Sequence, residues 1–134
     1  MNLHETANRL DRKTRRALER YDTEFIDLMM AISNADHAGN QTFKANPKSS
    51  TDGLAWVEMP TSLNRTMVEL ASILKIGTPS PNGRKFAIRD SQRTMAWEAR
   101  INPPLETQIA WVEAFASNMM KFGHTVYAKT HQQR

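Results

Sequence analysis

The basic side chains between residues 9 and 20 have the clearest capacity for binding chemistry. At about 100° per residue on a helix, five of them fall within an arc of about 100°, away from the apolar stripe. Arginine donates paired hydrogen bonds to phosphate and carboxylate oxygens, so this face could contact a nucleic-acid backbone or an acidic protein. This basic ridge comprises Arg9, Arg12, Lys13, Arg16 and Arg20.

The basic ridge is also typical of a helix face that contacts only water. Acidic residues lie four positions from several of its members, as in Glu5 with Arg9 and Arg20 with Glu24. Such pairs stabilise an isolated helix by about 0.2–0.5 kcal/mol each. The sequence therefore leaves nucleic acid, an acidic partner and solvent open as the surroundings of the ridge.

A second basic group follows a loop rich in Pro, Gly and Asn. On a β-hairpin, Lys85 and Arg89 would share one face, and Phe86 and Ile88 the other. A basic hairpin could contact a nucleic-acid backbone, and it is equally typical of a charged sheet edge. The group comprises Arg84, Lys85, Arg89 and Arg93.

Apolar residues at the end of the first predicted helix form a candidate protein interface. They cover more than one helix face there, which indicates either a partner surface or full burial. One further aromatic residue stands in the polar stretch that follows. The candidate interface comprises Phe25, Met29, Met30 and Phe43.

The sequence lacks the residues and motifs that most kinds of catalysis require. The chain has no cysteine, which excludes a disulfide scaffold, a thiolate zinc site and a cysteine nucleophile. Its histidines do not recur at the i,i+4 spacing of a helical metal site, and no nucleophile elbow or phosphate-loop motif occurs. We therefore expect no enzymatic activity, no catalytic residue, no cofactor and no metal ion, and the sequence identifies no small-molecule substrate.

Composition limits the class of protein. The 134 residues suit one domain, and 18 Lys and Arg against 14 Asp and Glu give a formal net charge of +4. No apolar run approaches the roughly 18 residues of a membrane span, and the first residues do not resemble a secretory signal. We expect a cytoplasmic protein, or one packaged in a larger particle, without membrane association.

Hydrophobic periodicity predicts the elements that must position these residues. Apolar positions at steps of three and four predict one long helix over 2–35. The polar stretch 36–53 predicts a long surface loop. A strand is predicted over 54–59, followed by a second helix that begins at Thr61 or Ser62.

Residues 84–101 fit two different elements. Period-two alternation on both sides of Asp90 favours a β-hairpin. The alternative is a helix capped at Asp90 or Ser91 that runs to Arg100.

The C-terminal part is predicted to hold the last helix, which starts at Pro103 and is stopped by Gly123. A weak edge strand follows at 124–130, and the tail 131–134 is expected to fray. One shared core is expected to hold three tryptophans: Trp56, Trp97 and Trp111.

The predicted fold class is helix-dominated α+β, with all-α as the alternative. The chain is expected to form a single domain over 1–134, with its compact part at 54–130.

The expected function is that of a non-enzymatic interaction or assembly protein, a subunit or accessory factor of a larger complex. A viral or particle structural subunit is one form of this class. Protein partners or identical subunits are expected, and the alternative is a small basic nucleic-acid-binding module.

Overall fold

The computed structural model describes residues 21–47, 53–89 and 103–132, together with Arg12, Arg16 and Glu19. Helices dominate, and the strands form one small antiparallel sheet, which confirms the helix-dominated α+β class. The elements in chain order are α1 (Asp22–Ala45), β1 (Gly53–Pro60), a 3-10 turn (Thr61–Leu63), α2 (Arg65–Ile73), β2 (Thr78–Pro79), β3 (Lys85–Ile88), α3 (Leu105–Lys121) and β4 (Tyr127–Gln132).

The four strands lie in the order β2-β3-β1-β4, and every neighbouring pair is antiparallel. From β1 onward the described elements follow the order β-α-β-β-α-β, with β1 and β3 at the centre of the sheet. This is the connectivity of split βαβ units in a ferredoxin-like arrangement. Helix α1 precedes this unit as an addition.

The core lies between one face of the sheet and the helices. Alternate residues of β1 are buried, beginning with Gly53, because successive side chains of a strand point to opposite faces. Ala55, Val57 and Met59 pack with Phe86 of β3 and with apolar residues of all three helices. One sheet face is therefore committed to the core.

Helix α1 packs antiparallel along α3 and also contacts α2. Polar side chains pair across this interface, which sets the register of the two helices as well as their contact. Three hydrogen-bonded pairs span the interface, and residue numbers rise along α1 as they fall along the segment that holds α3. The pairs are Asp27 with His124 at 2.8 Å, Asn34 with Asn118 at 2.8 Å and Asp36 with Trp111 at 2.8 Å.

Gln108 joins α3 to the beginning of β1. Its side chain is fully buried; Oε1 accepts from the Ala55 N–H at 3.0 Å, and Nε2 donates to the carbonyls of Gly53 at 3.2 Å and Pro103 at 2.8 Å. Strand β3, as far as Ile88, pairs with β1 only from Val57 onward. The carboxamide therefore supplies a donor and an acceptor to the part of β1 that β3 does not reach.

The predicted long helix over 2–35 is interrupted at Tyr21. Its φ of −120° and ψ of 46° are not helical, and α1 starts at the next residue. Arg12, Arg16 and Glu19 are helical, and the other residues of 2–20 lie outside the described residues. The break brings the Tyr21 hydroxyl to Glu69 of α2, to which it donates at 2.7 Å. The bond between Tyr21 and Glu69 thus accompanies the helix break, which the spacing of the apolar residues did not predict.

The predicted loop over 36–53 is wrong for most of its length, since α1 continues to Ala45. Polar composition suggested a loop, but tertiary packing stabilises the helix here. Asp36 accepts a hydrogen bond from the buried Trp111, and Gly39 is buried. Thr42 bonds through its hydroxyl to the Ala38 carbonyl within the helix.

The strand predicted at 54–59 is confirmed as β1, and the edge strand predicted at 124–130 exists as β4, displaced to Tyr127–Gln132. The prediction that the tail 131–134 frays is wrong for His131 and Gln132, because they pair with Leu54 and Gly53 of β1. Residues 133–134 lie outside the described residues. The second and last helices exist, but they begin later than predicted, at Arg65 and Leu105. Gly77 lies between α2 and β2 at a φ of +95°, where an added Cβ would lie 2.5 Å from the Ala87 carbonyl oxygen. A larger residue there would disturb the pairing of β2 with β3.

Residues 85–88 form a strand, as the hairpin interpretation of 84–101 expects. However, β3 has β2 on one side and β1 on the other, so the described hairpin is β2–β3. The second arm of the predicted hairpin and the rival helix from Asp90 both lie outside the described residues.

The substitution Gln108→Leu is expected to lower the free energy of unfolding by about 3 kcal/mol or more. It leaves the Ala55 N–H and the Gly53 and Pro103 carbonyls buried without their partner, at about 1–3 kcal/mol each. Urea denaturation followed by circular dichroism measures this loss. The exposed Glu113→Gln control on the same helix should change stability by no more than about 0.5 kcal/mol. Equal, small effects of both substitutions would contradict the role of Gln108.

Candidate functional site

The side chains of β1 that point away from the core define a second surface, here called the outer sheet face. The strand registers place residues of β3 and β4 beside them on the same face. No described helix forms part of this face. It consists of Leu54, Trp56, Glu58 and Pro60 of β1, Lys85 and Ala87 of β3, and Tyr127, Lys129 and His131 of β4.

Aromatic and basic side chains alternate across the outer sheet face. Trp56 is directly opposite Lys129, and Tyr127 is opposite Glu58. The Lys129 ammonium lies 5.7 Å from the centroid of the Tyr127 ring, and Tyr127 is 47% exposed. At an exposed site such a cation–π contact contributes about 0.5–1 kcal/mol. Two rings and a lysine thus share one solvent-facing surface.

Glu58 is the carboxylate of the outer sheet face. Its Oε1 lies 3.7 Å from the Lys85 ammonium; the Lys85 side chain is 60% exposed, and that of Glu58 18%. Because Lys85 is largely solvated, the pair is weak and does not fix the lysine in place. Two lysines against one glutamate leave the face with net positive charge.

A cavity of about 320 Å³ opens beside Trp56 on this face. Its volume is at the lower end of the range of small-ligand sites. The indole supplies an apolar wall, and hydroxyl, carboxylate and ammonium groups lie around it, so a planar ring could stack there. Among the lining residues are Trp56, Glu58, Thr78, Ser80, Lys85 and Ala87.

The basic residues predicted from the sequence are only partly brought together. Lys85 lies on the outer sheet face, Arg84 lies at its end in the β2–β3 turn, and Arg89 follows β3 and is half-buried. Arg12 and Arg16 are helical and exposed, as the basic ridge requires. Four predicted contacts lie outside the described residues: Arg9, Lys13, Arg20 and Arg93.

The candidate apolar interface does not form one surface. Phe25 is 1% exposed and belongs to the core, because it lies on the buried face of α1. Met29 is half-buried against the core, and Phe43 is also half-buried. Only Met30, at 48% exposed, is available to a partner among these four.

Sequence reasoning missed the aromatic residues of the outer sheet face. The prediction that the tryptophans share one core is wrong for Trp56: Trp111 is fully buried, whereas Trp56 points to the other side of the sheet. Trp97 lies outside the described residues. The available signal was the alternation of β1, in which Trp56 stands between the buried Ala55 and Val57.

Within the described residues, no group of three or more His, Asp or Glu side chains is placed to hold a metal ion. None of the described helices is long and apolar enough to cross a membrane.

Comparison with protein-family models, with curated proteins and with solved structures finds no match to this chain. The function must therefore be argued from the site.

Matched substitutions of the two described tryptophans should separate the core from the outer sheet face. Trp111→Phe removes the bond to Asp36 and leaves a cavity, so we expect a loss of about 2 kcal/mol or more in unfolding free energy. Trp56→Phe should cost less than about 1 kcal/mol, because its ring is partly solvated. Urea denaturation by circular dichroism compares the two, and equal losses would contradict the placement of Trp56.

Proposed function

We propose that this protein binds single-stranded nucleic acid on the outer sheet face. The observation that carries the proposal is the combination of Trp56 and Tyr127 with Lys85 and Lys129 on one solvent-facing surface. Proteins that bind single strands combine positive charge for the backbone with aromatic rings on which the bases stack. The formal charge of +4 is consistent with such a ligand.

The arrangement of the sheet supports this proposal. A four-stranded sheet with helices on one face leaves its other face for a ligand, and RNA-recognition modules stack bases on aromatic residues of such a sheet. The similarity is one of arrangement and does not by itself imply function. The side chains on this face carry the proposal, since they are aromatic on β1 and β4 and basic on β3 and β4.

A single strand suits this face better than a duplex. Stacking on Trp56 requires a base whose ring is exposed, whereas the bases of a duplex are stacked on one another. The cavity beside Trp56 is also a recess in a sheet rather than an element that could enter a groove.

Trp56→Ala is expected to weaken binding of a labelled single-stranded oligonucleotide by about 5- to 150-fold, since one stacked base contributes about 1–3 kcal/mol. Tyr127→Ala should act in the same direction. Fluorescence anisotropy with single- and double-stranded DNA and RNA, at low and moderately high salt, measures these affinities. Binding should fall steeply with salt, because phosphate contacts release counterions.

Two control substitutions accompany this titration. Leu63→Ala removes an apolar side chain that is 65% exposed and lies outside the outer sheet face, and it should leave affinity unchanged. Arg12→Glu combined with Arg16→Glu measures any contribution of the basic ridge. Absence of binding at low salt, or full affinity in Trp56→Ala, would refute the proposed function.

Self-assembly is the second candidate, and three exposed apolar residues favour it. Ile26 and Met30 on α1 are 42% and 48% exposed, and Met120 on α3 is 56% exposed. The Asp27–His124 and Asn34–Asn118 bonds bracket Met30 and Met120 on neighbouring helices. These residues would form the centre of a contact between two copies of the chain.

Sedimentation velocity over a concentration series tests self-assembly. The unmodified chain should associate at micromolar concentration, and Met30→Glu should shift it to the monomer because a charge would be buried in the contact. Leu63→Glu places the same charge at an exposed apolar site elsewhere and should leave association unchanged. A chain that stays monomeric at high concentration excludes this candidate.

A further inference from the structure

We infer that the cavity between the 3-10 turn and the β2–β3 turn binds a phosphate group. This cavity, here called the arginine pocket, has a volume of about 400 Å³. Two arginines and two residues with hydroxyl groups line it, and no acidic residue is among its described lining residues. Its lining residues are Thr61, Ser62, Arg65, Gly83 and Arg84.

Within the described part of the chain, neither arginine of the pocket has an acidic partner. Among the described residues, ion pairs within 4.0 Å join only Lys85 to Glu58 and His124 to Asp27. Arg65 and Arg84 therefore face one cavity with their charges uncompensated. Two like charges beside one recess repel each other, and an anion between them would relieve that repulsion. Guanidinium forks match the oxygens of phosphate, and hydroxyl groups add further donors.

The β2–β3 turn that carries Arg84 is held by its own hydrogen bonds. Asn82 accepts through Oδ1 from the Arg84 N–H at 3.0 Å and from the Ser80 hydroxyl at 2.8 Å. The Gly83 N–H donates to the Ser80 carbonyl at 2.9 Å. Since the turn is ordered before any ligand arrives, little conformational entropy would be lost on binding.

The opposite wall is tied to this turn through the backbone. The Thr61 N–H donates to the Arg84 carbonyl at 2.9 Å, which keeps the 3-10 turn beside the β2–β3 turn. Asn64 does not cap α2 with its side chain; its amide donates instead to the carbonyls of Pro60 and Thr125 at 3.0 and 2.8 Å. The first N–H groups of α2 therefore add positive potential next to Arg65 without a side-chain acceptor.

The arginine pocket adjoins the outer sheet face. Pro60 and Lys85 are paired at the end of that face, and the next residues on each chain segment, Thr61 and Arg84, line the pocket. The phosphate belongs either to a free monoester or to the 5′ end of a strand that lies on the sheet. Phosphate binding itself does not depend on the proposed nucleic-acid function.

A nuclear magnetic resonance titration of the full chain with inorganic phosphate tests the inference, with sodium chloride at matched ionic strength as reference. Backbone amide shifts should saturate at residues 61–65 and 83–84 with phosphate and not with chloride. The double variant Arg65→Gln, Arg84→Gln should bind phosphate at least about tenfold more weakly, because charge-assisted hydrogen bonds are lost. Both side chains are exposed, so the fold should be preserved, which an unchanged melting temperature verifies.

A charge-matched control and two oligonucleotides complete the experiment. Lys44→Gln with Lys121→Gln changes the same net charge at exposed sites of α1 and α3 and should retain phosphate binding. Shifts that match those in chloride, or that persist in the arginine variant, overturn the inference. A 5′-phosphorylated single strand that binds several-fold tighter than its unphosphorylated form assigns the phosphate to a strand end. If phosphate saturates the pocket but the two strands bind equally well, the ligand is a free phosphate monoester. This assignment holds even if the Trp56→Ala result refutes the nucleic-acid function.

Discussion

The pleat of β1 is the constraint on which the rest of the structure depends. Because successive side chains of a strand point to opposite faces, this central strand gives Ala55, Val57 and Met59 to the core and the half-buried Trp56 and Glu58 to the outer sheet face. Strand β3 shows the same division through its register, since Phe86 and Ile88 are buried and Lys85 is exposed. A shift of one residue in the pairing would exchange the core and the outer sheet face.

Polar groups then fix the relative positions of the elements, which the apolar core alone would not determine. Apolar burial is non-directional, so it cannot set how far one helix slides along another. The buried Gln108 sets α3 against β1, and the Asp36–Trp111 bond sets α1 against α3. A wrong register would leave such buried groups without partners, which is costly. The same helix layer occupies one side of the sheet and leaves the outer sheet face without a described helix.

Local sequence patterns predicted which helices and strands exist better than they predicted where these begin and end or what their side chains contact. The strand at 54–59 follows from a short apolar run ended by Pro60, the last helix follows from apolar steps of three and four, and both exist. The loop over 36–53 was wrong because polar composition says nothing about whether a partner helix will satisfy those side chains. Lys85 and Arg84 were recognised as basic, but nothing local placed one on the sheet and the other beside Arg65.

By itself, the sequence determined the helix-dominated class and the net positive charge, because these depend on residue types and on their local spacing along the chain. Only the tertiary structure decided the strand order, the helix break at Tyr21, the position of Trp56 opposite Lys129 on the outer sheet face and the meeting of Arg65 with Arg84. These features depend on contacts between residues far apart in the chain, such as Trp56 with Lys129. Such contacts are set by the packing of whole elements, and a local pattern carries no record of that packing.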